Sequence, residues 1–94
     1  MSNEGYHENL KALSKHTKDQ HRALVSLMEE LEAADWYQQR IDATESDSLS
    51  AILAHNRNEE LEHAAMLIEC LRRNNQYFDK QLRRFLFKGE DIVD

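Results

Sequence analysis

The sequence contains very few residues that break a helix or cross-link a chain. Its 94 residues include no proline, only two glycines (Gly5 and Gly89) and a single cysteine, Cys70. One cysteine excludes an internal disulfide and is typical of a reducing, cytoplasmic compartment. No apolar run approaches the roughly 20 residues that a membrane span needs, so we expect no membrane partner. The first four residues lack the basic and apolar pattern of a signal peptide.

The charge and the length limit the possible functions further. The formal net charge of −6 argues against a nucleic-acid partner, because such proteins present a basic face, and it suits a protein that attracts cations. Ninety-four residues allow one domain, which we assign to residues 1–94. A chain this short buries little surface, so it often depends on a metal or on another subunit.

Helical periodicity predicts an all-α fold. Apolar residues recur at steps of three and four, which indicates a first helix from about Glu8 to Tyr37. Turn and cap residues cluster at 42–47, where Thr44, Ser46 or Asp47 is expected to cap a second helix that runs to about Arg73.

The ends of the chain carry weaker signals. Asn74-Asn75 is a natural stop, and a short third helix is expected from about Gln76 to Phe87. We expect residues 1–6 to be disordered and residues 88–94 to form a C-terminal tail. The fold is therefore predicted as an antiparallel two-helix hairpin plus a short C-terminal helix. Two such helices enclose no core, so the hairpin must pack against something else.

Acidic and histidine side chains interrupt the apolar faces of both long helices. Glu60 and His63 form a Glu-x-x-His pair inside an apolar stripe of the second helix, and Glu30 lies inside a stripe of the first. Burial of an unpaired carboxylate costs several kcal/mol unless a cation or a proton neutralises it. The stripe residues are Leu49, Leu53, Ala64, Leu67 and Leu71 on the second helix, and Ala12, Ala23, Leu27, Ala34 and Tyr37 on the first.

The motif count predicts a shared metal centre. A ferritin-like di-iron site needs two Glu-x-x-His pairs and two single glutamates, all pointing into a four-helix bundle, and this chain supplies one of each. Two copies related by a two-fold axis would complete the bundle and the site. Glu30, Glu60 and His63 are the predicted catalytic iron ligands, and Tyr37 is expected to donate its hydroxyl to a ligand carboxylate.

Further surface features suggest outer sites and a larger assembly. Glu29 and Glu32 flank Glu30 and are expected to form an outer cation site that also accepts Ca²⁺. The first helix is apolar on more sides than one hairpin partner requires, and Trp36 lies on one of these extra faces. This pattern favours an assembly larger than a dimer.

Two other functions remain open from the residues alone. The first is a metal-independent helical adaptor that dimerises through the same faces, with a buried Glu–His hydrogen bond in place of a metal. A di-manganese or peroxide-using enzyme would need the same ligands, because ligand type does not separate iron from manganese.

Two long blocks of the sequence resemble the encapsulated ferritins. They are residues 28–40, which read MEELEAADWYQQR, and residues 51–66, which read AILAHNRNEELEHAAM. Shorter matches at residues 21–26, 71–73 and 85–87 extend the likeness over most of the chain, from about residue 8 to residue 92.

The resemblance implies a ferroxidase that oxidises Fe²⁺ with O₂ at a di-iron centre on a two-fold dimer interface. It implies iron ligation by Glu30, Glu60 and His63, outer metal sites at Glu29 and Glu32, and Trp36 and Tyr37 beside the ligands. The family assembles dimers into a ring of ten chains, held as cargo in a cytoplasmic encapsulin nanocompartment that stores the iron.

The C-terminal end departs from the family pattern. Family members usually continue into a flexible tail and a short targeting peptide that docks them inside the shell, and this sequence reads Ile92-Val93-Asp94 at that place. The iron chemistry expected from the resemblance does not depend on that tail.

Overall fold

A computed structural model describes residues 5–93, and this part of the chain is helical without a strand. A short 3₁₀ turn spans Leu10–Ala12 and is followed by helix α1, Lys15–Ala43, and helix α2, Asp47–Arg73. Helix α3 spans Gln76–Phe85. The predicted all-α class, with two long helices and a short third one, is confirmed.

Helix α1 begins later and ends later than the sequence pattern predicted. The predicted start at Glu8 is wrong, because the side chain of Asn9 caps the 3₁₀ turn and Ser14 then caps α1 by accepting a hydrogen bond from the backbone N–H of Thr17. Ala12 therefore lies outside α1 and outside its apolar stripe. The predicted end at Tyr37 is also wrong, because no proline or glycine stops the helix before Ala43.

The other helix boundaries follow the expected cap residues more closely. Ser46 caps α2 by accepting a hydrogen bond from the backbone N–H of Leu49, and α2 ends at Arg73 as predicted. Asn75 caps α3 through the backbone N–H of Phe78. Helix α3 ends at Phe85, two residues before the predicted end, and Phe87 adopts a positive φ of 61°. Disorder was predicted for residues 1–6, and residues 1–4 of this range lie outside the described residues.

Helices α1 and α2 run antiparallel. Three pairs join the α1 side to the α2 side, and their residue numbers rise along one helix as they fall along the other. The pairs are Gln20–Asn75, Glu30–His63 and Gln38–Arg57. A loop of three residues, 44–46, connects the two helices. The antiparallel hairpin expected from the sequence is therefore present.

The core between the helices is small. Among the described residues the buried apolar side chains are Ala34, Leu53, Ala64 and Leu71. Alanine on both helices allows the backbones to approach closely at the middle of the hairpin. Large apolar side chains remain exposed on the outer surfaces, among them Leu24, Met28, Leu31, Leu61 and Met66. The hairpin therefore has more apolar surface than it buries.

Helix α3 is held against α2 by an ion-pair network centred on Arg72. The guanidinium of Arg72 donates to both carboxylate oxygens of Glu69 at 2.7 Å and to Asp79 of α3 at 2.5 Å. Arg83 also donates to Asp79, at 2.9 Å, so both helices share this carboxylate. None of the helices in the described part of the chain is long and apolar enough to cross a membrane.

Candidate metal centre

Helices α1 and α2 bring Glu30, Glu60 and His63 together near the middle of the hairpin. One ligand atom from each residue lies within 4.8 Å of the others. His63 Nδ1 is 3.4 Å from Glu30 Oε2 and 3.9 Å from Glu60 Oε2. Glu60 and His63 share a side of α2 because they are three residues apart, and the antiparallel register places Glu30 opposite them.

One oxygen in this group makes no hydrogen bond. Glu30 Oε2 is buried and has no hydrogen-bond partner in the part of the chain that the structure describes. An unsatisfied buried acceptor costs roughly 1–3 kcal/mol, and more when it is charged. A cation or a proton between the two carboxyl groups would remove this cost. Two carboxylates and one imidazole also suit a divalent first-row metal ion, so the residues fit the group expected from the sequence.

The carboxyl pair also changes the acidity of Glu60. Hydrogen bonding to the Glu30 carboxyl raises the pKa of Glu60 first, and partial burial and repulsion from the Glu30 charge raise the pKa further. The positive charge available on His63 opposes this shift. A metal ion that binds here therefore competes with a proton, so its affinity should increase with pH.

The group is open on one side. No fourth histidine, cysteine, aspartate or glutamate joins it among the described residues. Side-chain exposure is 24% for Glu30, 25% for Glu60 and 43% for His63, so the imidazole faces outward. First-row metal ions usually take four to six ligands. The remaining ligands must come from water, from a substrate or from another chain.

The neighbouring acids point away from this group. Glu29 and Glu32 are exposed on α1, and Glu62 is exposed on α2. Glu59 pairs with His55 at 2.5 Å on the surface of α2. The outer cation site predicted at Glu29 and Glu32 therefore remains a prediction.

The two aromatic residues expected beside the ligands lie further along α1. Tyr37 is half-buried, with the guanidinium of Arg40 5.6 Å from its ring centroid, and Trp36 is half-exposed. Within residues 5–93 the Tyr37 hydroxyl makes no hydrogen bond to either carboxylate of the group. The catalytic role of Tyr37 and the placement of Trp36 beside the metal stay predictions.

One contact near the group was not anticipated from the sequence. Arg57 Nη1 of α2 donates a 2.7 Å hydrogen bond to Gln38 Oε1 of α1. The antiparallel register places Gln38 and Arg57 at nearly the same level. Starting from the Glu30–His63 pair, α1 advances eight residues to reach Gln38 while α2 goes back six residues to reach Arg57. In the sequence, the pair could be found only as two long polar side chains at the same level of the hairpin. That pattern does not identify which such pairs form a hydrogen bond.

Comparisons with known proteins agree with this fold. The EncFtn-like family model matches residues 5–89. The chain is 56% identical over 93 residues to an "Encapsulated ferritin-like protein" of Rhodospirillum rubrum, covering 99% of this chain and 66% of that protein. It is 48% identical over 89 residues to a "Ferritin-like protein" of Thermotoga maritima, covering 95% of this chain and 78% of that protein.

A solved structure has the same architecture. The crystal structure of protein ne0167 from Nitrosomonas europaea matches with a TM-score of 0.91 and 53% sequence identity. The match covers 96% of this chain and 99% of that chain. The resemblance to the encapsulated ferritins is thus confirmed over nearly the whole sequence, and the chain belongs to the EncFtn-like family.

Proposed function

We propose that this protein is a ferroxidase that oxidises Fe²⁺ to Fe³⁺ with O₂ at a site shared by two copies of the chain. The observation that supports it most directly is the Glu30, Glu60 and His63 group, whose ligand atoms lie within 4.8 Å and include a buried oxygen without a partner. One chain offers three of the donors that a di-iron carboxylate site requires. A second chain, related by a two-fold axis, supplies the other three.

Charge balance favours two divalent ions in such a site. Two copies of the group contribute four carboxylates, whose total charge of −4 balances the total charge of +4 on two Fe²⁺ ions. Each ion that becomes Fe³⁺ adds one positive charge that the six donors do not neutralise. Hydroxide or oxide from water can supply the missing negative charge, so the product can leave as a hydrolysed ferric species.

The residues divide the work of binding and electron transfer. Glu30 and Glu60 hold iron through hard oxygen donors, which stabilise Fe³⁺ over Fe²⁺ and so favour loss of an electron. His63 supplies one nitrogen to each iron. Two Fe²⁺ ions together provide the two electrons, and solvent the two protons, for reduction of O₂ to H₂O₂. In this proposal Trp36 and Tyr37 lie beside the iron ligands, and the Tyr37 hydroxyl donates a hydrogen bond to a ligand carboxylate.

Iron supply and storage extend the proposal beyond the site. Glu29 and Glu32 are exposed carboxylates next to Glu30, and we assign them an outer cation site on the route of iron inward. The chain spans 66% of the length of its Rhodospirillum rubrum relative, which is described as encapsulated. Assembly into a ring of ten chains and delivery of iron into an encapsulin shell in the cytoplasm are proposed by analogy with that family.

The proposal is tested by an anaerobic Fe²⁺ titration followed by exposure to O₂ and read by ferric absorbance. We expect saturation near one iron per chain. Glu30→Ala, Glu60→Ala and His63→Ala should each lower the oxidation rate by about 10-fold or more, since removing a ligand leaves the site incomplete. Glu62→Ala is the matched control, because Glu62 is exposed and lies outside the group.

The same assay separates the two alternatives. Wild-type oxidation rates in all three ligand variants would refute the site and favour the metal-independent adaptor. Faster turnover with H₂O₂ than with O₂, or oxidation of Mn²⁺ in preference to Fe²⁺, would instead favour the peroxide-using enzyme.

A further inference from the structure

Outside the ligand group, the bond between Arg57 and Gln38 is the direct side-chain hydrogen bond between α1 and α2 in the described part of the chain. Arg57 Nη1 donates to Gln38 Oε1 at 2.7 Å. The other interhelical hydrogen bond of the hairpin, from Asn75 to Gln20, involves the cap residue of α3. The other contacts between the two helices are the 3.4 Å approach of His63 Nδ1 to Glu30 Oε2 inside the ligand group and the packing of buried alanine and leucine side chains.

Apolar packing of that kind sets the register of two helices weakly. The buried contacts are made by Ala34, Leu53, Ala64 and Leu71, and hydrophobic attraction has no direction. A displacement of one residue along a helix is about 1.5 Å. A metal site needs its donors within about 0.5 Å of their proper places, so a directional contact is required to hold the register.

The guanidinium of Arg57 is held in place for this contact. Its Nε and Nη2 atoms donate to Asn58 Oδ1 at 3.1 and 2.9 Å, which leaves Nη1 free to reach α1. Arg57 precedes Glu60 by three residues, or about 4.5 Å along α2, and Gln38 follows Glu30 by eight residues, or about 12 Å along α1. The bond therefore joins the two ligand-bearing helices within two to three turns of the ligands.

The bond also lies away from the opening of the site. His63 follows Arg57 by six residues, so their side chains lie about 120° apart around the axis of α2. A second chain that covers the exposed imidazole would not need to contact Arg57. We therefore expect effects of changing Arg57 to be transmitted within one hairpin.

We infer that Arg57 and Gln38 are positioning residues, whose hydrogen bond sets the register of α1 against α2 and thereby holds Glu30 at metal-binding distance from Glu60 and His63. This inference rests on the metal site proposed above. Neither residue touches a ligand atom, so the predicted effect is on the affinity and the geometry of the site.

The test uses Co²⁺ as the probe, because its visible absorption reports both binding and coordination geometry without turnover. Arg57→Met and Gln38→Met each remove the bond while retaining an unbranched side chain. We expect each to raise the Co²⁺ dissociation constant by about 3- to 10-fold and to alter the visible bands, less than the ~10–100-fold effect of removing a group that contacts a ligand. The double variant should be no worse than either single one, since both remove the same bond.

Two further variants separate positioning from general stability. Gln39→Met is the matched control, because Gln39 bonds to Asp35 within α1 and bridges no helices. Gln38→Glu keeps an acceptor for Arg57 but replaces the amide that donates to Asp42, so it should bind Co²⁺ more tightly than Gln38→Met does. Co²⁺ affinity and spectrum equal to wild type in Arg57→Met and Gln38→Met, even with a lower Tm, would overturn the inference.

A ligand variant keeps this failure distinct from failure of the metal site. If Glu60→Ala abolishes Co²⁺ binding while Arg57→Met leaves it unchanged, the metal site stands and the positioning role is refuted. If Glu60→Ala also binds Co²⁺ as the wild type does, the proposed site itself is refuted, and the positioning role with it.

Discussion

At the scale of single residues, the side chains of the candidate site lower the stability of the metal-free protein. Glu30 and Glu60 are close together and partly buried, and one oxygen of Glu30 has no partner. Such arrangements persist at functional sites because the ligand that removes the repulsion is also the one the site is built to bind. Removing one carboxylate charge should therefore raise the stability of the metal-free protein and lower its affinity for metal.

We expect Glu60→Gln to stabilise the metal-free protein at pH 7 and to weaken metal binding. The pKa of Glu60 is raised in the folded state, so the folded protein binds a proton more tightly than the unfolded one and loses stability as pH rises above about 4.5. Removing the charge should raise Tm by about 2–6 °C at pH 7. The gain should vanish below about pH 4, where the carboxyl is protonated in both states.

The measurement is thermal unfolding in the presence of a chelator at both pH values. Glu62→Gln is the control, because Glu62 is exposed and outside the group. A Tm at pH 7 equal to or below that of the wild type would show that Glu60 is not strained by its neighbours.

The sequence predicted the members of the site better than the contacts that hold them. Glu30, Glu60 and His63 were found because charged residues inside apolar stripes are costly, and the structure brings these three together. Arg57 and Gln38 carry no such signal, since polar residues on helix surfaces are common. Their partnership depends on the register of the hairpin, which a periodic pattern does not specify.

At the scale of the helices, boundaries were predictable where cap residues are unambiguous. Asn74 and Asn75 separate α2 from α3 as expected, because both side chains suit helix ends. The start of α1 was misplaced because the apolar steps continue through the 3₁₀ turn, and only the Ser14 cap shows where the α-helix begins. A periodic pattern detects a helical face and does not distinguish a 3₁₀ turn from an α-helix.

The attachment of α3 to α2 should be sensitive to acid. Hydrogen bonds from Arg72 and Arg73 lower the pKa of Glu69 to about 2, and those from Arg72 and Arg83 lower the pKa of Asp79. Because both folded-state values are depressed, these contacts contribute stability above about pH 4.5 and lose it as pH falls toward about 2. We expect the backbone amides of α3 to lose protection over this range before those of α1.

Hydrogen exchange, corrected for intrinsic rates, measures this protection. At pH 7, Asp79→Asn should speed exchange in α3 by about 2- to 5-fold, as expected for a largely solvated ion pair. Asp19→Asn is the control, because it removes an exposed pair with Arg22 within α1. Acid-independent protection of α3 would contradict the role assigned to Arg72.

At the scale of the whole molecule, the dominant fact is unpaired apolar surface. Residues 5–93 contain four buried apolar side chains, which is few for their number, and long side chains such as Met28 and Met66 remain about two-thirds exposed. The sequence already suggested this imbalance, because α1 is apolar on several sides. Association with further copies is the outcome we propose.

We expect Fe²⁺ or Co²⁺ to promote this association. If two copies complete each site, a metal concentration 100 times its dissociation constant should stabilise the dimer by about 2.7 kcal/mol per bound ion. Anaerobic light scattering over a range of protein concentrations measures the effect, and His63→Ala should abolish the dependence on metal. The same oligomer at all metal concentrations would show that the site is not completed between chains.

We expect Met66→Lys to prevent assembly without unfolding the hairpin. Met66 is 64% exposed in the single chain and lies one helical turn after His63 on α2, so a charge there costs little until a second chain covers it. Sedimentation should show a smaller species whose helical circular dichroism is retained at low temperature and is lost at a lower Tm than that of the wild type. Gln39→Lys, at an exposed polar position, is the control, and an unchanged oligomer in Met66→Lys would place the interface elsewhere.

The small core has a consequence for how this polypeptide behaves in dilute solution. Since packing inside one molecule contributes little, the proposed association with further copies should add much of its resistance to unfolding, and that contribution disappears as molecules separate. Dilution then acts as a denaturant would. The quantity of working protein should then fall more steeply than the total as copy number drops, because fewer subunits have neighbours that stabilise them.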